Sequence, residues 1–152
     1  MLRMSKLTDY GTLVLAQLAA QRDGVASAGQ VADATRIGQP TVSKLLKSLT
    51  RAGLVVSARG AQGGYALARP AESISAAQII DALEGPVAIT ECSSADGCCE
   101  LEEYCRVGLA WQRINRSIRE ALQKVSLADL QTRPQPLSPP DLKAGLSAAA
   151  PR

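Results

Sequence analysis

Cys92, Cys98, Cys99 and Cys105 fall within fourteen residues, and the 152-residue chain has no other cysteine. Three or four thiols this close in sequence can converge on one metal centre or serve as redox groups. The spacing is Cys92-x5-Cys98, then Cys99-x5-Cys105. Common structural zinc sites place paired ligands about two to four residues apart, and the ferredoxin runs are also spaced differently. Adjacent Cys98 and Cys99 would strain to bind the same metal. Residue chemistry thus supports three or four thiolates in an acidic loop and leaves the metal open.

A second chemistry lies upstream. Residues 34–71 contain six basic side chains (Arg36, Lys44, Lys47, Arg51, Arg59, Arg69) and no acid. Residues 72–105 contain eight acids and no base, and residues 106–124 carry five basic residues against Glu120 alone. The net charge of +3 conceals this division. The basic block is where phosphate contacts are expected; an ordinary solvated surface is the plainer alternative. Within it, Gln39, Thr41, Ser43 and Lys44 are placed to reach base edges from the start of a helix, while Lys47 and Arg51 suit phosphates. Arg59 suits the minor groove, and Gly60 belongs to a glycine-rich tip that permits close approach.

These residues need elements to position them. The chain is 46% hydrophobic without a single Phe, so its core must be made of Leu, Val, Ile and Ala. Residues 7–20 carry Leu7, Tyr10, Leu13, Val14 and Leu18 at helical spacing, with Ser5 or Thr8 as a cap. Residues 27–34 form a short second helix with Val31 and Ala32 inward, and Arg36-Ile37-Gly38 is a tight connection. Residues 39–52 form a third helix, with Pro40 in its first turn, an apolar set of Val42, Leu45, Leu46 and Leu49, and Gly53 as its stop. Residues 54–57 and 65–68 read as two strands around the tip Arg59-Gly-Ala-Gln-Gly-Gly64. Three helices followed by a hairpin is the winged helix-turn-helix order.

Residues 75–83 add a helix with Ile79, Ile80 and Leu83 inward, closed by Gly85-Pro86. The cysteine loop follows. Then residues 107–125 give the longest helical pattern, with Trp111, Ile114, Ile118, Leu122 and Val125 in one stripe. A lone helix on a small domain leaves that stripe to cover, which predicts a homodimer; packing on the winged helix is the alternative. Residues 131–152 hold five of the eight prolines and read as a disordered tail. The expected architecture is therefore mainly α: a winged helix-turn-helix domain over 1–86, a cysteine loop over 87–106, a long dimerisation helix over 107–130, and the tail.

Several functions are disfavoured. No run approaches the roughly 18 apolar residues of a membrane span. The opening residues, charged at Arg3, Lys6 and Asp9, lack a signal-peptide apolar region, so a cytoplasmic protein with reduced thiols is expected. There is no histidine to act as a general base, no nucleophile–base pair, and no helix with Lys-Ser/Thr after the glycines to make a phosphate loop. An enzyme is not expected.

Leu7-Thr-Asp-Tyr10, Pro40-Thr-Val-Ser-Lys-Leu-Leu46, Arg59-Gly-Ala-Gln-Gly-Gly-Tyr65 and the cysteine loop together resemble the winged-helix iron–sulfur regulators of the Rrf-two type (IscR- and NsrR-like). The resemblance covers about residues 1–130. Residues 4–15 and 125–129 are most similar to the subgroup that regulates the SUF iron–sulfur assembly operon. The resemblance implies a repressor that senses an iron–sulfur cluster and binds a palindromic double-stranded operator as a homodimer. It implies a 2Fe–2S cluster ahead of 4Fe–4S, held by Cys92, Cys98 and Cys105, with Cys99 replacing Cys98 or serving as an additional thiol. The IscR type takes its fourth ligand from a histidine soon after the third cysteine, where this chain has Gly108. Some relatives use an N-terminal aspartate of the other subunit, and Asp9 matches it; stabilising a helix N-terminus is the alternative role for Asp9. Glu100, Glu102 and Glu103 are further oxygen donors. A zinc- or thiol-based redox regulator without iron is the rival reading.

Overall fold

The chain order is α1 (Lys6–Ala20), α2 (Ala28–Thr35), α3 (Gln39–Arg51), β1 (Val55–Ala58), β2 (Gly64–Leu67), α4 (Ala76–Glu84), α5 (Gly108–Gln123) and α6 (Leu127–Gln131), with single 3₁₀ turns at Ala71–Ser73 and Glu91–Ser93. The structure is a computed structural model and describes residues 4–21, 24–60, 63–93 and 105–131. Cys98, Cys99, the glutamates 100, 102 and 103, and all of the tail beyond Gln131 lie outside them.

The winged helix-turn-helix forms as the sequence pattern predicts. Ser27 and Ser75 each build a reciprocal capping box, with Gln30 and Gln78, at the starts of α2 and α4. Arg36 takes a left-handed conformation (φ 57°) that closes α2 and turns the chain towards α3. Gly53, at φ 72°, ends the turn after α3. Val42, Leu45, Leu46 and Leu49 are all essentially fully buried. They join Val14, Leu15, Val31, Val55, Ile74 and Ile79 in one core that binds α1 to α4 together.

Three expectations change. First, α1 does not bury the stripe that spacing suggests. Leu7, Tyr10 and Leu13 are exposed, whereas Thr8, Gly11, Val14, Leu15 and Leu18 face inward. The reason is close packing. A Cβ at Gly11 would collide with the Leu83 side chain, so the smallest residues of α1 mark where α4 approaches. Second, the hairpin gains a partner. Ala26, between α1 and α2, pairs with Tyr65 through two backbone hydrogen bonds of 2.9 and 2.8 Å. Third, the long C-terminal helical pattern divides. α5 ends at Gln123, and Ser126 caps α6 through Asp129. Leu127 is completely buried, and its N–H donates to the Ile74 carbonyl at 2.7 Å. The residues after α5 thus return to the DNA-binding unit.

α5 is inverted in its first half relative to an ordinary surface helix. Three of its side chains make inward hydrogen bonds among the described residues: Gln112 and Asn115 bond the first part of the cysteine loop, and Arg119 makes a two-pronged ion pair with Asp81 of α4 at 3.1 and 2.6 Å. The apolar residues of its first half look outward, while Ile118 and Leu122 are half-buried. Leu109 is 77% exposed, Ile114 45% and Trp111 39%. Among the described residues no helix is long and apolar enough to cross a membrane.

The Glu84 carboxylate fastens α4 to the start of α1. It accepts from the Ser5 N–H and hydroxyl at 2.9 Å each, and from the Thr8 hydroxyl. The Thr8 bond above all, then the Ser5 amide, hold Glu84 below its ordinary value of 4.5. A carboxylate depressed on folding stabilises the native state above that ordinary value, and the contribution disappears as pH falls through the lower folded value. Wild type and Glu84→Gln should therefore differ most in unfolding free energy near neutral pH and converge under acid. Denaturant titrations at several pH values check this; a gap that does not change with pH would mean that the charge is not what matters.

Candidate nucleic-acid interface and thiol site

The N-terminus of α3 is presented by Gly38, whose carbonyl accepts from the N–H groups of Thr41 and Val42 at 2.9 and 3.1 Å. Because four apolar residues bury one face, the opposite face is fixed. Gln39, Lys44, Lys47 and Arg51 are exposed, and Thr41 and Ser43 are half-buried at the edge of the same face. The Arg119–Asp81 pair is the one ion pair among the described residues. Lys44, Lys47, Arg51 and Arg59 therefore carry charge that no described acid neutralises, as a surface for phosphates requires.

The wing is held at both ends. Its strands pair in register from Val55↔Leu67 to Ala58↔Gly64. Arg59 and Gly60 lie exposed at the tip, and Gly60 adopts φ 117°, a conformation closed to most side chains. The Gly63 N–H donates to the Gly60 carbonyl at 2.9 Å, closing the tip. A Cβ at Gly64 would lie 2.7 Å from the Ala26 carbonyl oxygen. The two terminal glycines are thus more than a turn: Gly64 lets the wing dock on the connection between α1 and α2.

Of the four cysteines, Cys92 and Cys105 are described, and both are free and partly exposed. Cys92 lies in the 3₁₀ turn Glu91–Ser93, with its Sγ 3.2 Å from the Thr90 hydroxyl. Gln112 donates to the Cys92 carbonyl at 3.1 Å, and Asn115 donates to the carbonyls of Val87 and Ser93 at 3.1 and 3.4 Å. Cys105 precedes α5 directly, and a Cβ at Gly108 would stand 3.6 Å from its sulfur. Position 108 thus abuts the thiol, but glycine offers no donor there. Among the described residues no three His, Cys, Asp or Glu side chains converge on a metal position; Cys98 and Cys99 lie outside that set. The donors that are described suit iron–sulfur ligation in kind, being free thiols in reach of solvent.

Asp9 is exposed in the first turn of α1, where it complements the helix dipole. It also edges a groove of about 500 Å³ lined by Met4, Leu13, Ile80, Leu122 and Leu130. The described part of its own subunit brings neither Cys92 nor Cys105 into contact with that groove.

Residues 4–133 match the family model Rrf2, an iron-dependent transcriptional regulator. The chain belongs to the Rrf2 family. Similar solved structures include CymR, the global cysteine regulator of B. subtilis, at 31% identity and TM-score 0.66, covering 86% of this chain and 97% of that one. IscR of T. potens is similar at 32% identity and TM-score 0.63, covering 85% of each chain. CymR of Staphylococcus aureus is similar at 30% identity and TM-score 0.60, covering 86% of this chain and 99% of that one. As an Rrf2 protein the chain is a DNA-binding transcriptional regulator with a winged-helix fold, and it is not an enzyme.

The sequence pattern missed Ala26, Gln112 and Asn115. Ala26 leaves no periodic signal, since a single bridging residue has none. The two amides do leave one, three residues apart on a helix and off the apolar stripe, where polarity ordinarily signals solvent. Replacing Gly64 by Ala should push the wing off Ala26. The expected cost is about 1–3 kcal/mol of stability, with operator affinity lost well below the thermal transition. Normal binding and an unchanged melting curve would show that the docking is dispensable.

Proposed function

We propose that this Rrf2 protein is a homodimeric repressor that senses an iron–sulfur cluster and controls iron–sulfur assembly (SUF) genes from a palindromic operator in the cytoplasm. The observation that carries this reading is the placement of two free, partly exposed thiols. Cys92 and Cys105 stand at the two ends of the acidic cysteine segment, one bonded to α5 and one at its foot. Cys92, Cys98 and Cys105 would hold the cluster, 2Fe–2S ahead of 4Fe–4S, with Cys99 replacing Cys98 or adding a thiol. Asp9 of the partner subunit is the candidate fourth ligand. Bound there, such a group supplies a centre responsive to iron and oxidation.

The chain's own residues supply the rest. Thiolates and the surrounding acids repel one another when nothing binds them, so the segment is poised to loosen. α5 carries that change outward, because its other face, with Leu109, Trp111 and Ile114, is exposed and apolar and suits a second copy. Two recognition helices must keep one DNA turn, about 34 Å, between them to read both half-sites. On those helices Gln39, Thr41, Ser43 and Lys44 read bases; Lys47 and Arg51 hold phosphates; Arg59 and Gly60 work from the wing. The SUF assignment rests on the likeness of residues 4–15 and 125–129 to that subgroup.

A thiol-based regulator without iron is the second reading. The CymR relatives favour it, one of them being described as a global cysteine regulator. In that case Cys98 and Cys99 react directly.

Anaerobically purified protein should be coloured and contain iron and sulfide, and Cys92→Ser should lose the visible absorbance. Colourless, iron-free wild type with intact operator binding would select the second reading. On DNA, Lys47→Ala should weaken binding to all sequences alike and lower the slope of log affinity against log salt by about 0.9. A base-dependent loss at unchanged slope would make Lys47 a base reader instead.

A further inference from the structure

Gln112 and Asn115 lie three residues apart on α5, on the face turned towards their own subunit. Both donate to backbone carbonyls in the first part of the cysteine loop: Gln112 to Cys92, Asn115 to Val87 and Ser93. Asn115 is only 9% exposed, although asparagine is rarely buried in the middle of a helix. Its amide orientation follows from its neighbours, since two carbonyls can be met only by the NH₂ group. The Oδ1 atom is then buried without a hydrogen-bond partner among the described residues. A buried amide that leaves one of its own atoms unmatched is a poor stability device. Its placement is explained by what it holds.

We infer that Gln112 and Asn115 are positioning residues that clamp Cys92 to α5, so that the state of the Cys92 thiol and the orientation of α5 are coupled. The inference deepens the proposed sensing role and rests on it only for its consequence, since the clamp itself is a property of the metal-free chain. Asn115 fixes the segment on both sides of Cys92, at Val87 and Ser93. Gln112 holds the carbonyl of Cys92 itself. One turn further along the same face, Arg119 locks α5 to Asp81. A shift of Cys92 therefore cannot be absorbed by the loop alone; it pulls on a helix whose far face awaits a partner.

The test uses reduced, metal-free full-length protein. Alkylation of Cys92 and of Cys105 by iodoacetamide is followed separately by mass spectrometry. Removing one clamp bond in Gln112→Ala or Gln112→Glu should raise the Cys92 rate about fivefold, the equilibrium equivalent of one hydrogen bond, and leave Cys105 unchanged. Rates are taken well above the ordinary thiol pKa of about 8.5, so that a charge at position 112 cannot act through the thiolate fraction. Gln112→Lys keeps an N–H donor and should then restore the slow rate. Gln112 is half-buried, so these variants are expected to fold, and Asn115→Ala serves as the stronger second case. Equal rates at Cys92 in wild type, Gln112→Glu and Asn115→Ala would overturn the clamp. So would a parallel rise at Cys105, which would mean general loosening. Iron retention against a chelator is measured on the same variants after anaerobic reconstitution. If wild type takes up no iron, the sensing proposal falls while the alkylation rates still judge the clamp; if it does, faster iron loss from Gln112→Glu than from Gln112→Lys is expected, and equal loss would overturn the coupling.

Discussion

The arrangement of this molecule depends on how α5 lies on its own subunit. A lone helix normally buries its apolar stripe and exposes its polar one. α5 follows this only in its second half, where Ile118 and Leu122 are half-buried; in its first half amides face inward, while Leu109, Trp111 and Ile114 face solvent. An inward polar face must find directional partners, because an unmatched buried amide costs about 1–3 kcal/mol. Those partners are backbone carbonyls around Cys92 and the Asp81 carboxylate. The first half of the helix is therefore held at defined points and not by a smooth apolar surface. Leu109, Trp111 and Ile114 are left as an exposed apolar patch.

α1 is the other half of the linkage. It is packed against α2, α3 and α4 at once, and against the wing strand β2. Its first turn is bonded to Glu84, the last residue of α4, and its middle approaches Leu83 through Gly11. The segment that leads to Cys92 begins immediately after Glu84. One short stretch of chain thus touches the base of the recognition unit at one end and α5 at the other. The wing joins the same body through Ala26 and Tyr65. With α3 locked by four buried aliphatic residues, the exposed basic face of α3 and the wing belong to one packed body.

Much of this was legible in the residues. Helix periodicity placed α2, α3 and α4 within about a residue at each end, because caps such as Ser27, Ser75 and Gly53 act through local backbone chemistry. The basic face of α3 followed from its buried one. What spacing could not supply was contact between distant segments. On α1 it favoured Leu7, Tyr10 and Leu13 alongside Val14 and Leu18; the last two are buried, but the helix turns Thr8 and Gly11 inward in place of the first three, with Gly11 against the Leu83 side chain and Thr8 bonded to Glu84. The division between α5 and α6 was hidden because Leu122, Val125 and Leu127 together look like one apolar run. A Ser126–Asp129 cap and the Ile74 carbonyl decide it. The four cysteines were legible only as a set of residues, two of them described, and the amides that bond the backbone around Cys92 carry no motif.

The charges show the same separation of roles. Arg119 meets Asp81 with two hydrogen bonds, a geometry that fixes direction as well as distance. An arginine so engaged is withdrawn from phosphate binding, and the pairing raises its affinity for its proton further. Lys44, Lys47 and Arg51 are left without described acids. Leaving them so sacrifices a little stability through mutual repulsion, since each would gain up to about 1 kcal/mol from an exposed partner. An acid beside them would also compete with DNA for every contact. Screening acts over about 10 Å at 0.1 M salt, so acids elsewhere on the molecule interfere only weakly. Keeping residues 34–71 free of acid and concentrating eight of them in residues 72–105 gives one surface that attracts phosphate and one segment that repels itself. The sensing regulator proposed above would join a DNA reader to a ligand-dependent loop, and it would need both surfaces apart.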